Sequence, residues 1–215
     1  MEVTLPLAPF LAVWAVLAMN IASPGPNVLN TIASALGSGR KAGLASAAGV
    51  AVGIGLWCLG MTLGMAAVFQ AVPVARTALT LLAIGLLLWF ASRYLRAAVA
   101  GWQGGTGRVT GRSGLTARAS FTRSLAVNAM NPKALTTWVV ILSLFPASEA
   151  RAGDIAVLGL GAATLAFSIH AGYALAFSTA PAARLWARLA PAISAAVGLF
   201  FAGFAARLAL GLAAG

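Results

Sequence analysis

The apolar run at residues 3–36 is too long to cross a membrane as one straight helix, and Pro24-Gly25-Pro26 interrupts it. As a single helix the run would extend about 50 Å at ~1.5 Å per residue, whereas a bilayer core is ~30 Å thick. Each proline removes a backbone donor and disfavours helix at the residue before it. We therefore predict that the first membrane helix is broken near Pro24.

The composition is that of an integral membrane protein: 61% of the residues are hydrophobic, 8% are charged and the mean hydropathy is +0.95. A soluble domain carries roughly 25% charged residues. No run alternates with a period of two, as the strands of a membrane barrel do, so the predicted fold class is all-α. With one histidine, one cysteine and three acidic residues, the chain lacks most catalytic constellations, and we expect no metal site and no cofactor.

Six apolar runs approach or exceed the ~20 residues that a membrane helix needs. They lie at about residues 3–36, 44–68, 74–91, 124–145, 155–179 and 189–210. The long polar stretch at residues 93–123 is predicted to be a flexible loop. We expect one transmembrane domain over residues 1–215, with repeats at about 3–92 and 124–212. Trp89 and Tyr94 are predicted to lie at a membrane interface.

The basic residues predict the orientation of these spans. Ten of the fourteen Lys and Arg residues fall in three loops that would share one side of the membrane: Arg40, Lys41, Arg93, Arg96, Arg108, Arg112, Arg118, Arg123, Arg184 and Arg188. Cytoplasmic loops carry the excess of positive charge. We therefore predict that these loops are cytoplasmic and that both termini lie on the outer side. The net charge of +11 is attributed to topology and anionic lipid, and nucleic acid is not an expected partner.

The two halves of the chain resemble one another at their first spans. Aligning Pro24 with Pro132 also aligns Asn20 with Asn128, so each half has a proline break flanked by asparagine. Repeats of three spans cross the membrane in opposite directions, as in many secondary transporters. We therefore predict six transmembrane helices as two inverted three-helix repeats, with helices 1 and 4 broken at mid-membrane. A half-helix that begins there presents unpaired N–H groups, which suit an anionic ligand.

Three short motifs resemble the signature of the LysE/RhtB family of amino-acid exporters. They are Pro24-Gly25-Pro26-Asn27, Gly39-Arg40-Lys41-Ala42-Gly43 and Asn131-Pro132-Lys133-Ala134. The resemblance covers nearly the full chain in length and number of spans. It implies export of an amino acid or a close relative across a bacterial-type cytoplasmic (inner) membrane, driven by the proton gradient.

The residues around the two breaks form the predicted substrate site: Asn20, Pro24, Gly25, Pro26, Asn27, Asn128, Asn131 and Pro132. Two structural alternatives stay open for them. The prolines could only kink the helices, and the asparagines could only join helices through hydrogen bonds of ~0.6 kcal/mol each.

Lys133 is placed near the centre of the fourth run, where a charge costs roughly 3 kcal/mol or more. No acidic residue within the runs can neutralise it. We predict that its ammonium group faces a cavity and binds a substrate carboxylate or a backbone carbonyl. The alternative is that the side chain extends to the headgroups.

His170 is the only histidine, and it lies within the fifth run. Because imidazole ordinarily titrates near neutral pH and the runs hold no carboxylate, His170 is the candidate for carrying a coupling proton. A neutral histidine that only joins two helices is the alternative.

These observations predict a secondary transporter, not an enzyme, which exports an amino acid or related small zwitterion by proton antiport and alternating access. The expected partners are this substrate, protons and the lipid bilayer. A small-solute or ion channel of the same architecture is the main alternative, and an intramembrane enzyme with His170 as base is a weaker one, because no second group would orient that base. The glycine pairs Gly49/Gly53 and Gly60/Gly64 could pack inside the bundle or support a homo-oligomer.

Overall fold

The computed structural model describes residues 2–71, 75–105 and 110–214, and within these ranges every regular element is helical. The helices are α1 (Leu7–Ala22), α2 (Pro26–Ala71), α3 (Ala75–Ala100), α4 (Ala117–Ala129), α5 (Pro132–Leu144), α6 (Ala152–Ala176) and α7 (Ala180–Ala214). By length and composition, four helical stretches could each cross a membrane: Pro26–Gly64, Thr77–Gly104, Ala152–Ala176 and Ala180–Ala213. The all-α membrane fold is therefore confirmed.

Both predicted helix breaks are present. Helix α1 ends at Ala22, and Ser23 takes an extended conformation (φ −71°, ψ 144°) before α2 begins at Pro26. Helix α4 ends at Ala129, and α5 begins at Pro132. In each case proline occupies the first position of the following helix, where its missing N–H group would have had no intrahelical acceptor.

Helix α2 joins the end of the first apolar run to the second run. It is interrupted at Gly39, whose φ of +83° is accessible mainly to glycine. Residues 26–38 therefore form one helical segment, and a second segment begins at residue 40. The length of α2 thus reflects two helical segments that meet at a glycine.

The prediction of a flexible loop over residues 93–123 is wrong at both ends. Helix α3 continues to Ala100 and is followed by one π-helical turn, Gly101–Gly105. The alanine-rich end of α3 favours helix although it is no longer strongly apolar. At the other end α4 begins at Ala117, because the Thr116 side chain accepts a hydrogen bond from the Ala119 N–H at 3.1 Å.

The basic loops contact one another at one end of the helix bundle. The Ser38 hydroxyl donates to the Arg112 carbonyl at 2.7 Å, and Arg40 Nε donates to Ser178 Oγ at 3.3 Å. At the opposite end of α6, the backbone N–H of Thr4 donates to the buried Asp154 carboxylate at 2.8 Å. Arg108, one of the residues used to predict orientation, lies outside the described residues.

The glycines of α2 divide into two groups. Gly49 and Gly53 are in contact with α4, since a Cβ atom on Gly53 would lie 2.5 Å from Asn128 Oδ1 and one on Gly49 would meet the Phe121 backbone. Gly60 and Gly64 have no described atom within 4 Å of a Cβ position. Gly49 and Gly53 therefore pack closely within the bundle, while a homo-oligomer contact stays a prediction for Gly60 and Gly64.

Candidate functional site

The two helix breaks meet at a single cavity. Its volume is about 30 Å³, and its walls come from the end of α1, the start of α2, the end of α4, the start of α5 and the middle of α6. Its polar lining residues are Asn20, Ser23, Asn27, Asn128, Asn131, Lys133, Thr137 and His170. The backbone at Gly25 and Pro26 also lines it.

Eight of the ten residues predicted from the sequence line this cavity. The other two are prolines. Pro24 lies against a neighbouring cavity, and Pro132 is the first residue of α5. Sequence positions more than a hundred residues apart are thus brought together, although contact with the cavity does not by itself assign a role to any of them.

The prolines of the first break leave two backbone carbonyls without their usual helical donors. The carbonyl of Asn20 would accept from residue 24 and that of Ala22 from residue 26, but both of these are proline and have no N–H group. Side chains from the second half of the chain supply donors. Lys133 Nζ donates to the Asn20 carbonyl at 2.8 Å, and the Tyr173 hydroxyl donates to the Ala22 carbonyl at 2.6 Å.

The Lys133 ammonium group is held at the break by polar atoms that carry no negative charge. Besides the Asn20 carbonyl, it donates to Ser23 Oγ at 2.5 Å and lies 5.4 Å from the centre of the Tyr94 ring. No carboxylate lines the cavity among the described residues. The positive charge therefore has dipoles and an aromatic face around it but no counter-ion, which favours an anionic ligand.

Tyr94, predicted from the sequence as an interface residue, contacts the first helix break. Its side chain is buried, and its hydroxyl shares a 2.6 Å hydrogen bond with Ser23 Oγ. Ser23 in turn donates to the Asn20 carbonyl at 2.5 Å. The sequence gives no signal for this contact, because Tyr94 and Ser23 are 71 residues apart.

Three of the asparagines have structural hydrogen bonds. Asn20 Nδ2 donates to Thr137 Oγ1 at 2.8 Å and so joins α1 to α5. Asn131 Oδ1 accepts from the Lys133 N–H at 3.0 Å and caps α5. Asn30 Oδ1 accepts from Arg123 Nε of α4 at 3.0 Å, away from the cavity. The interhelical role considered for the asparagines thus applies to some of them.

The other wall of the cavity holds acceptors without donors. Within the described part of the chain, Asn27 Oδ1, Asn128 Oδ1 and His170 Nε2 are buried and have no hydrogen-bond partner. The opposite ring nitrogen of His170, Nδ1, is 3.1 Å from the Ala166 carbonyl and must donate to it. His170 Nε2 is then an unprotonated acceptor in the neutral ring.

A second, larger cavity shares Gly25, Pro26, Asn131 and Lys133 with the first. Its volume is about 350 Å³, which is within the range of small-molecule sites. It extends along the last turns of α3, where Arg93 lies 5.1 Å from the centre of the Trp89 ring. Lys133 is therefore accessible from a space that also contains a guanidinium group and aromatic surface.

Comparison with known proteins gives consistent relatives. The family described as LysE type translocator matches residues 18–212. A leucine efflux protein of Klebsiella pneumoniae subsp. pneumoniae is 29% identical over 189 residues, which are 86% of this chain and 87% of that protein. A leucine efflux protein of Enterobacter sp. (strain 638) is 30% identical over 191 residues, 86% of this chain and 88% of its own. No solved structure gives a significant match.

The matched region includes both helix breaks and every polar residue that lines the first cavity. The family resemblance predicted from the three sequence motifs is thereby confirmed. The chain belongs to the LysE type translocator family, a family of membrane transporters.

Proposed function

We propose that this protein is a secondary transporter that exports an amino acid, with L-leucine as the first substrate to test. The observation that carries the proposal is Lys133, a cation without a counter-ion at the junction of two broken helices. An amino acid carries the carboxylate that this group lacks. The names of the two leucine efflux proteins and the translocator family support the same substrate class.

The membrane arrangement is part of the proposal. We infer six spans in two inverted repeats, in which the first and fourth spans are each built from two helical segments. The contacts among the basic loops around residues 38–40, 112 and 178 support a common cytoplasmic side for them. Both termini then face outwards, and the cytoplasmic membrane is the expected location.

Alternating access would follow from the sizes of the two cavities. About 30 Å³ holds little more than a water molecule or two, so the inner cavity is too small for an amino acid in this conformation. The larger cavity leads along α3 towards the basic loops and offers a route to Lys133 from the proposed cytoplasmic side. Rocking of one repeat against the other would open the site to each side in turn, and His170 is the proposed carrier of the coupling proton.

Reconstituted vesicles test the proposal. A pH gradient is imposed across vesicles that contain the purified chain, and uptake of labelled L-leucine into inside-out vesicles is measured with and without a proton ionophore. We expect accumulation against the leucine gradient that the ionophore abolishes. Leucine flux that only follows its own gradient and is insensitive to the ionophore would indicate a channel and refute antiport.

Lys133→Met and Lys41→Met form a matched pair, because these are the only two lysines of the chain. Lys41 is exposed in a basic loop. Loss of a buried charged partner costs ~2–5 kcal/mol, so Lys133→Met should weaken leucine binding by about 30-fold or more. Lys41→Met should bind as the wild type does. Equal binding by the two variants would exclude the carboxylate role of Lys133.

A further inference from the structure

Three residues that line the inner cavity carry a buried acceptor without a hydrogen-bond donor in the described part of the chain. Asn128 and His170 are each 1% exposed, and neither Asn128 Oδ1 nor His170 Nε2 has a donor within the described residues. The same holds for Asn27 Oδ1. Leaving a buried acceptor unpaired costs ~1–3 kcal/mol, and the three residues that carry these acceptors all line one small cavity.

From this arrangement we propose that Asn27, Asn128 and His170 form a subsite for the α-ammonium group of the substrate. An ammonium group has three N–H donors, and the subsite offers three acceptors from three different helical segments, α2, α4 and α6. The inference rests on the proposed transport of an amino acid and specifies which part of the substrate each wall of the cavity binds.

A cation on one side of the cavity and neutral acceptors on the other suit a zwitterion. Lys133 supplies a cation for the carboxylate, while the three acceptors supply lone pairs for the ammonium group. In an α-amino acid both groups are attached to one carbon atom, so their subsites must be close. A cavity of about 30 Å³ that is lined by Lys133 and by the three residues carrying the acceptors meets this condition.

The subsite also gives a direct link between substrate and proton. The Nε2 lone pair of His170 can accept either a substrate N–H or a proton, but not both, and the imidazolium would repel the ammonium group. Two other titratable residues are close to His170: Lys133 of α5 lines the same cavity, and Tyr173 lies on the same helix as His170. A phenol stays neutral near pH 7. Among the described lining residues, α1, α2 and α4 contribute no titratable side chain.

Two ligands distinguish binding at the carboxylate subsite from binding at the ammonium subsite. L-leucine has both charged groups, whereas 4-methylpentanoate has the same carbon chain and carboxylate without the ammonium group. Binding of each to the purified full-length chain in lipid nanodiscs is measured by competition with labelled leucine. Asn128→Leu should weaken the binding of leucine by about tenfold and leave the binding of 4-methylpentanoate unchanged, since one ligand hydrogen bond is worth ~1–3 kcal/mol. Lys133→Met should weaken both ligands.

Asn27→Leu repeats the test from α2, so that the result does not depend on one variant folding well. If either asparagine variant, with an unchanged unfolding temperature, weakens the two ligands by the same factor or weakens neither, the asparagines serve packing and the inference is wrong.

The pH dependence tests His170 separately. In the wild type, lowering the pH from about 7 to about 4 should weaken leucine binding relative to 4-methylpentanoate, because only leucine needs the Nε2 lone pair. Titration of Lys133 changes the binding of both carboxylate ligands by the same factor, so it cancels in the ratio of the leucine affinity to the 4-methylpentanoate affinity. His170→Gln retains an acceptor that does not titrate, so its ratio should be independent of pH. If the ratio of the two affinities depended on pH equally in His170→Gln and in the wild type, the inference would be wrong.

These outcomes are distinct from failure of the proposed function. If the wild type neither binds nor transports leucine or other amino acids, the proposed function fails and the ammonium subsite fails with it. If leucine is bound and exported while the ligand ratio is unaffected in the asparagine and histidine variants, export stands and only the subsite is refuted.

Discussion

Gly53 allows the sharpest prediction about how packing controls the cavity. A Cβ atom at Gly53 would lie 2.5 Å from Asn128 Oδ1, 2.9 Å from Asn128 Cγ and 3.1 Å from Asn128 Cβ. Contacts this short force Asn128 or the α4 backbone to move, and overpacking of this kind costs ~1–3 kcal/mol. Gly60 lies two turns along the same helix and has no described atom within 4 Å of its Cβ position.

Gly53→Ala and Gly60→Ala therefore form a matched pair. Both variants gain about 1 kcal/mol of helix propensity, but only Gly53→Ala is destabilised by overpacking. The two free energies of unfolding should differ by ~1–3 kcal/mol, which corresponds to about 2–4 °C in unfolding temperature per kcal/mol for a chain of this size. Thermal unfolding in detergent measures the difference.

Leucine binding gives a second measurement on the same pair. Because the added methyl group displaces Asn128 at the cavity wall, Gly53→Ala should bind leucine more weakly than the wild type, whereas Gly60→Ala should not. Equal unfolding temperatures and equal leucine affinities in the two variants would show that the α2–α4 contact does not control the cavity.

Two further predictions concern the ends of the bundle. The Asp154 carboxylate accepts four hydrogen bonds, two from Thr4 and one each from the N–H groups of Leu5 and Arg151. Asp154→Asn should leave at least one of these donors unpaired, which destabilises the fold by ~1–3 kcal/mol and accelerates amide hydrogen exchange at residues 4 and 5. Unchanged exchange at these residues would contradict the prediction. The Ser38 hydroxyl donates to the Arg112 carbonyl at 2.7 Å and accepts from the Leu115 N–H at 2.9 Å. Ser38→Ala removes both bonds, so it should increase the rate of tryptic cleavage after Arg112, and a rate equal to that of the wild type would show that other contacts hold the segment.

The helix breaks could be predicted from the sequence because proline acts locally. A missing N–H group and a steric clash affect the same few residues wherever the chain runs, so the breaks at Pro24 and Pro132 needed no tertiary information. The end of α3 does not follow from hydropathy. Hydropathy marks where a helix leaves the apolar layer, whereas the helix itself continues as long as residues such as those at 97–100 favour it.

The hydrogen bonds that complete the site could not be predicted. Lys133 was recognised from the cost of its charge, but its partners Asn20 and Ser23 are 113 and 110 residues away. Tyr94 illustrates the same limit, since an aromatic residue near the end of an apolar run is typical of an interface. Only the packing of α3 against α5 and α7 brings its hydroxyl to the break.

The donors at the first break connect substrate binding to conformational change. Lys133 and Tyr173 donate to the two carbonyls from which the prolines remove the usual helical donor, and these bonds join the first half of the chain to the second. A substrate carboxylate that binds Lys133 competes with the Asn20 carbonyl and Ser23 for the same ammonium group. Under the proposed function, binding therefore weakens a connection between the halves at the point where they would have to move. A ligand can shift a conformational equilibrium only by its differential affinity for the two states, and competition for Lys133 provides such a difference.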